Sequence, residues 1–286
     1  MFHVPKLMIA QPGQFAIPAP DVSCSSVHTW RGNDGTLVAT GHTQAGVHWM
    51  HWPNLGAFAF APGAELVTAF PLAGVPVELI EEIYERGVLP MALQALGFEA
   101  LHASGLLLPQ GVLGLFATSE TGKSTFAFEL ARRGYTLWAD DSILFDTGAS
   151  DPTALAIPFR MRVNRSSRQS AGPLSPQSSV RAATFPKSAP VFALCLLERQ
   201  RGRAARPASI EKMSKADAFA SLLMHAHCFN TGDDERRLRM IQYYLELTAR
   251  VPVFKLRFRP SLAKLPTILD ALEKELEDLG AFTARP

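Results

Sequence analysis

From residue 36 the chain alternates short apolar runs with turn residues. The runs "TLVATGH" (36–42), "GVHWMHW" (46–52), "AFAF" (57–60) and "ELVTAF" (65–70) are parted by Gly, Pro and Asn. Runs of this length and spacing predict strands, and so a small β-rich N-terminal domain over residues 1–74. Within 48–52 the alternation places His48, Met50 and Trp52 on one face, either as half core and half interface or simply as a sheet packed on the rest of the chain. The period changes at residue 76. "PVELIEEIYERGVLPMALQALG" (76–97) has apolar residues at helical spacing and Glu78, Glu81 and Glu82 in its early turns. Pro90 should kink or restart this helix, and Gly97 is placed to close it.

Beyond residue 97 strands and helices alternate, which predicts a second, α/β domain over 75–286. "ALHASGLLL" (100–108) and the nearly all-apolar "VLGLFA" (112–117) predict strands, the second buried on both faces. A helix is expected from Ser124 to Arg133, with Gly134 just past it. "TLWADD" (136–141), "SILFD" (142–146), "ALAIPFRMRV" (154–163), "PVFALCLLE" (190–198) and "VFKLRF" (253–258) predict further strands. Helices are expected over 214–228, 233–249 and 262–278, and a long loop over the Ser-, Pro- and Arg-rich residues 164–189.

Composition narrows the function classes. The 286 residues are 47% hydrophobic and 19% charged, enough for a sizeable core. Net charge is +2, so the whole chain is not a polycation. The charge is nevertheless segregated: residues 151–210 carry ten basic and two acidic side chains. Trp30, Trp49, Trp52 and Trp138 are not interleaved with those arginines, so no nucleic-acid partner is expected. A basic segment could instead clamp a phosphate or recognise an acidic substrate. Arg160 and Arg162 are the candidates for that role, while Arg199 to Arg206 read as a solvated loop. Cys24, Cys195 and Cys228 are odd in number and widely spaced, which fits a reducing compartment. The opening "MFHVPKLMIAQPGQ" has one lysine and no long apolar run, unlike a secretory leader, and no later run reaches membrane-spanning length. The expectation is a cytoplasmic protein with no membrane partner.

The chemistry concentrates in "FATSETGKSTFAFELARRG" (116–134). A loop that leaves a buried strand and ends in Gly-Lys-Ser at a helix start can hold a triphosphate. Its N–H groups wrap the phosphate, its lysine reaches the β/γ oxygens and its hydroxyl holds Mg²⁺. Here the cradle is Ala117, Thr118, Ser119, Glu120, Thr121, Gly122, Lys123, Ser124 and Thr125. Two residues are unusual. Ala117 stands where such loops have their first glycine, which matters if φ is positive there. Glu120 adds negative charge near the phosphates. The competing reading is a strand, turn and helix that carry Gly-Lys-Ser by chance.

Asp140 and Asp141 close the next apolar strand, where they could hold Mg²⁺ and take a proton from an attacking hydroxyl, or merely cap a turn. His102 could face the phosphates from the neighbouring strand or be a satisfied core histidine. "HAHC" (225–228) lies near a helix end and is followed by no second ligand cluster at zinc spacing.

"LHASGLLL", "ATSETGKST" and "LWADD" together resemble the C-terminal catalytic domain of HPr kinase/phosphorylase. The likeness is closer to the shorter HPr-kinase-like proteins of bacterial natural-product clusters, some of which phosphorylate the C-terminal serine of lasso-peptide precursors. "VLPMALQALGFEALHASG", "LARRGYTLWADD", "IPFRMRV" and "ARVPVFKLRF" echo that group over roughly residues 76–275. The resemblance implies a phosphoenolpyruvate-carboxykinase-like variant of the P-loop core, with ATP and Mg²⁺ as cofactors. It implies Lys123 as the phosphate residue, Ser124 and Asp141 as Mg²⁺ ligands, Asp140 as general base and His102 as the active-site histidine. Arg160 would help to position the transferred group. The implied partner is a peptide or small protein with an acceptor serine. A homo-oligomer is left open. Thr125 stands where HPr kinases usually have Glu, and their downstream Glu-x-Arg-Gly signature has no clear copy, so HPr itself, the phosphorylase reaction and the hexamer are not carried over. A small-molecule kinase and a non-catalytic nucleotide-binding regulator are the alternatives.

Overall fold

A computed structural model describes residues 3–11, 26–32, 34–157, 186–200, 208–230 and 232–279. The chain is mixed α/β and carries two sheets. It divides into two compact units, Met1–Ala100 with His227–Ile241, and Leu101–Ala226 with Gln242–Pro286. Arg160 and Arg162, the outer part of the strand expected over 154–163, and most of the loop expected over 164–189 lie outside the described residues.

In the first unit the apolar runs become strands β1 (Lys6–Ile9), β2 (His28–Arg31), β3 (Leu37–Gln44), β4 (Val47–Trp52), β5 (Gly56–Phe60) and β6 (Leu66–Pro71). Their order is β1-β6-β5-β4-β3-β2, an antiparallel meander with β1 added parallel to β6. The alternation expected in β4 is present. His48 and Trp52 meet Phe60 and Phe58 across the β4–β5 pair, with ring centroids 5.4 Å apart in each case.

The helical segment also belongs to this unit, so the division falls after Ala100 and not at residue 74. The physical reason lies in its anchors. The Tyr84 hydroxyl donates to the Pro5 carbonyl, and the Gln94 amide bonds the backbone of His227 and Phe229. The expected restart at Pro90 takes the form of a π-helical turn, Tyr84–Val88, between α1 (Val77–Ile83) and α2 (Leu89–Ala95). Pro90 has no N–H to return to the preceding turn, and the Leu89 N–H reaches back to the Tyr84 carbonyl.

The second unit is built on β8 (Ala103–Leu108), β9 (Gly111–Phe116), β10 (Thr136–Ala139), β13 (Ser188–Arg199), β14 (Ala208–Lys212) and β15 (Val253–Phe258), in the order β10-β8-β9-β13-β15-β14. The short strands β11 (Ile143–Phe145) and β12 (Thr153–Leu155) extend from the start of β13. A three-residue strand, β7 (Glu99–Leu101), precedes β8. Strands β9, β13 and β15 are mutually parallel, and β8 is antiparallel to both β9 and β10. The carboxyl ends of β9, β10, β13 and β15 therefore share one edge of the sheet with the amino end of β8. In open α/β sheets that edge is where ligands bind.

The helices are α3 (Lys123–Arg132), α4 (Lys215–His225), α5 (Asp234–Arg250) and α6 (Leu265–Asp278). One face of the sheet is covered by α3 and α6. Phe126 and Leu130 of α3 and Leu265, Ile268, Leu269, Leu272 and Leu276 of α6 join alternate strand residues such as Leu106, Leu115, Cys195, Leu197 and Leu256 in one core. On β8 and β9 the glycines Gly105 and Gly114 are directly paired, and the Ile143 side chain comes close to both. A side chain at Gly114 would press on the Ile143 and Leu194 side chains, whereas one at Gly105 would meet Ile143 at ordinary contact distance.

Candidate active site

The loop after β9 opens with Ala117, which is fully buried in the core and does not have a positive φ. A Cβ therefore carries no conformational penalty there, and the missing first glycine is explained. The left-handed positions of the loop are Glu120, at φ 64°, and Gly122, at φ 118°. Thr118, Ser119 and Glu120 are exposed, while Thr121 is buried. The Thr121 N–H bonds the Thr118 carbonyl, and the two hydroxyls stand 2.9 Å apart, which closes the turn. Gly122 caps α3, and its carbonyl takes the Phe126 N–H at 3.0 Å. Lys123 is the first helical residue, so the positive end of the helix and the lysine point the same charge at the loop.

Lys123 is 7% exposed. Its ammonium meets Nε2 of His102 at 2.7 Å, and Nδ1 of His102 lies 2.9 Å from the Asp141 carbonyl oxygen. A carbonyl can only accept, so Nδ1 carries the proton and Nε2 is the bare acceptor for the lysine. Burial and then the Lys123 charge push the His102 pKa down to about 4, which keeps the ring neutral. His102 sits in the break between β7 and β8. There the chain passes from a bridge with Ala226 to the ladder with β9.

Asp140 is equally buried, and its Oδ1 accepts from the hydroxyls of Ser104 at 3.0 Å and Ser124 at 3.4 Å. A register shift between Leu137 and Ala139 sets the direction in which β10 delivers this carboxylate. Asp141 comes next in the left-handed region, at φ 64°, which turns its carbonyl toward His102. Four of the expected residues, His102, Lys123, Ser124 and Asp140, thus converge at one sheet edge. Asp141 joins them through its backbone. Ser124 Oγ, 3.4 Å from Asp140, and the carboxylate of the next residue, Asp141, are hard oxygen donors of the kind Mg²⁺ takes. No group of three or more metal-ligating His, Cys, Asp or Glu side chains occurs among the described residues.

Three contributors go beyond the sequence expectations. Ser104 is one; its signal is its spacing, since residues two apart on a strand share a face. Arg199 is the second. It reads in the sequence as part of a solvated loop, yet its Nε donates to the Thr121 carbonyl at 3.1 Å. It also lines a cavity of about 320 Å³ with Gly122, Phe126, Phe258, Pro260 and Leu265. The third is His225 at the end of α4, whose carbonyl takes the His102 N–H at 2.8 Å.

No helix among the described residues is long and apolar enough to cross a membrane. No family model matches the chain. No curated protein matches it either. Among solved structures it is similar to the HPr(Ser) kinase/phosphatase from Coxiella burnetii, at 12% sequence identity and a TM-score of 0.35, over 63% of this chain and 97% of that one.

Proposed function

We propose that the chain is an ATP-dependent kinase that transfers the γ-phosphate to a serine hydroxyl of a peptide or small protein. The observation that carries this reading is the meeting of a Gly-Lys-Ser loop, a buried lysine on a neutral histidine and a buried aspartate at one sheet edge. In this reading the P-loop is residues 117–125, and its N–H groups and Lys123 bind the β- and γ-phosphates. The cavity beside Gly122, walled by Phe126, Phe258 and Leu265, suits the nucleoside half.

Ser124 and Asp141 would hold Mg²⁺, which would supply positive charge to offset that of the phosphates. Lys123 offsets the charge of the transferred group, and His102, which holds the lysine in the free site, helps to position that group. Asp140 orients the serine hydroxyl and takes its proton as the oxygen attacks the γ-phosphorus in line. The bond to the β–γ bridging oxygen breaks, and ADP leaves with that electron pair. Arg160 is kept as a candidate for holding the transferred group. A lasso-type precursor is the acceptor to which the sequence resemblance points.

The test is mass spectrometry of a serine-ended precursor peptide incubated with the protein and Mg·ATP. One added phosphate with wild type, and none with Asp140→Asn, is expected. Unmodified peptide together with consumed ATP would move the acceptor to another class.

A further inference from the structure

His225 is the first histidine of "HAHC", and the reaction above gives it no role. Its placement is specific. The bridge between Leu101 and Ala226 is antiparallel, and the His102 N–H bonds the His225 carbonyl, so residues 102 and 225 stand opposite each other. His225 is the last residue of α4, so this bond fixes its backbone against that of His102. The His225 ring also lies edge-on to Phe116, the last residue before the loop, at 5.3 Å.

The two imidazoles are built alike. Nδ1 of His225 lies 2.8 Å from the Ser221 carbonyl, as Nδ1 of His102 lies on that of Asp141. Both rings therefore carry their proton on Nδ1 and present a bare Nε2. One Nε2 is taken by Lys123. The other, on His225, is shut off from solvent and has no hydrogen-bond partner among the described residues. A buried acceptor left bare costs about 1–3 kcal/mol, so it marks a contact made in another state. The Lys123 charge is felt at both rings and holds both below the ordinary histidine range, after burial.

We propose that His225 is a positioning residue for Lys123: its bare Nε2 is the second station of the ammonium, taken up when bound phosphate draws the lysine off His102. The inference rests on the phosphate-site reading above. An ammonium has three N–H donors. In the loaded site one goes to His225 and the others are released to phosphate oxygens, so the lysine stays braced while it serves the ligand. Without that brace, the lysine that leaves His102 is held by phosphate alone.

The experiment uses the full chain and a non-hydrolysable Mg·ATP analogue. The ¹⁵N resonance of His225 Nε2 should lie at the position of an unprotonated, unbonded nitrogen in the free protein and move upfield on saturation. His225→Phe keeps the ring against Phe116 and the backbone bond to His102 but removes the acceptor. It should weaken binding about tenfold, since a hydrogen bond to a charged group is of that size. His225→Gln, which returns an acceptor near the Nε2 position, should recover most of the loss, whereas a purely structural role would not be rescued so. An unmoved resonance, or equal affinity of wild type and His225→Phe, overturns the proposal and leaves the phosphate site standing. No binding to the wild-type chain overturns both. The resonance is read on the wild-type protein, so it decides the matter even if a variant fails to fold.

Discussion

Gly114→Ala tests whether the paired glycines of β8 and β9 set the position of the site. Gly114 does not have a positive φ, so the backbone accepts alanine without strain and the effect is steric. The added Cβ would lie 2.6 Å from Cδ2 of Leu194 and 3.0 Å from Cδ1 of Ile143. Both neighbours are fully buried, so relieving the contact means turning a packed side chain. Overpacking of this kind costs about 1–3 kcal/mol. At about 2–4 °C per kcal/mol for a chain of this size, the thermal midpoint should fall by about 2–12 °C. Gly105→Ala is the graded control. Its Cβ would meet Ala139 Cβ at 3.2 Å and Ile143 Cδ1 at 3.4 Å, so its cost should stay near or below about 1 kcal/mol. Ile143 stands two residues after Asp141, so displacing it should also weaken nucleotide binding. Ile143→Val removes the Cδ1 atom and should restore part of both losses, with a coupling of about 0.5–3 kcal/mol. Differential scanning fluorimetry with and without Mg·ATP reads both effects. A Gly114→Ala protein that melts within about 1 °C of wild type, with unchanged ligand response, would refute the idea that the glycine pair makes room for Ile143.

The site and its supports yield further expectations. His102 has its pKa lowered from 6.5 to about 4, so it is neutral when folded and protonates first in the unfolded chain. Its contribution to stability is complete above pH 6.5 and is lost as the pH falls toward 4. Between pH 7 and pH 5 this amounts to about 2 kcal/mol, and urea titrations should show His102→Asn losing that much less stability than wild type over the interval. Gly122→Ala places a Cβ at φ 118°, so it should cost about 1–2 kcal/mol and reduce Mg·ATP affinity, measured by titration calorimetry. Arg133 pairs with Asp270 at 2.8 Å and with the buried Glu273 at 2.5 Å, beside the Tyr135 hydroxyl. Arg133→Ala should destabilise by about 3–5 kcal/mol in chemical denaturation, and Glu273→Gln should relieve part of that loss.

The site is legible in the sequence where its chemistry is local. The loop, the capped helix and the Asp140–Asp141 strand end lie within 26 residues of one another and carry their own signals. The strand Val253–Phe258 is another local pattern, and its bounds are those expected from the sequence. Contacts between distant residues leave no such trace. Lys123 and His102 are 21 positions apart and share a recognisable strand-and-loop pattern, but His225 is set beside them only by a single bridge from Leu101 to Ala226. Strand Ala208–Lys212 escapes sequence reading because "ASIEK" is short, polar and, among the described residues, paired only to β15. The question over Ala117 turns on φ, which sequence does not carry; the left-handed residues of the loop are Glu120 and Gly122. The segment 76–97 reads as the start of the second, α/β domain because its helical period matches that of the α/β half. Its anchors, Tyr84 on Pro5 and Gln94 on His227 and Phe229, draw it into the first unit.

Everything proposed for this protein depends on residues 117–125 binding a nucleoside triphosphate through Lys123. Calorimetric titration of Mg·ATP into the wild-type chain and into Lys123→Ala decides that point. Saturable binding to wild type is expected, with a loss of about tenfold or more in the variant, because a buried ammonium on phosphate is a charge-assisted contact. Equal affinity of the two proteins, or no binding to wild type, would contradict it.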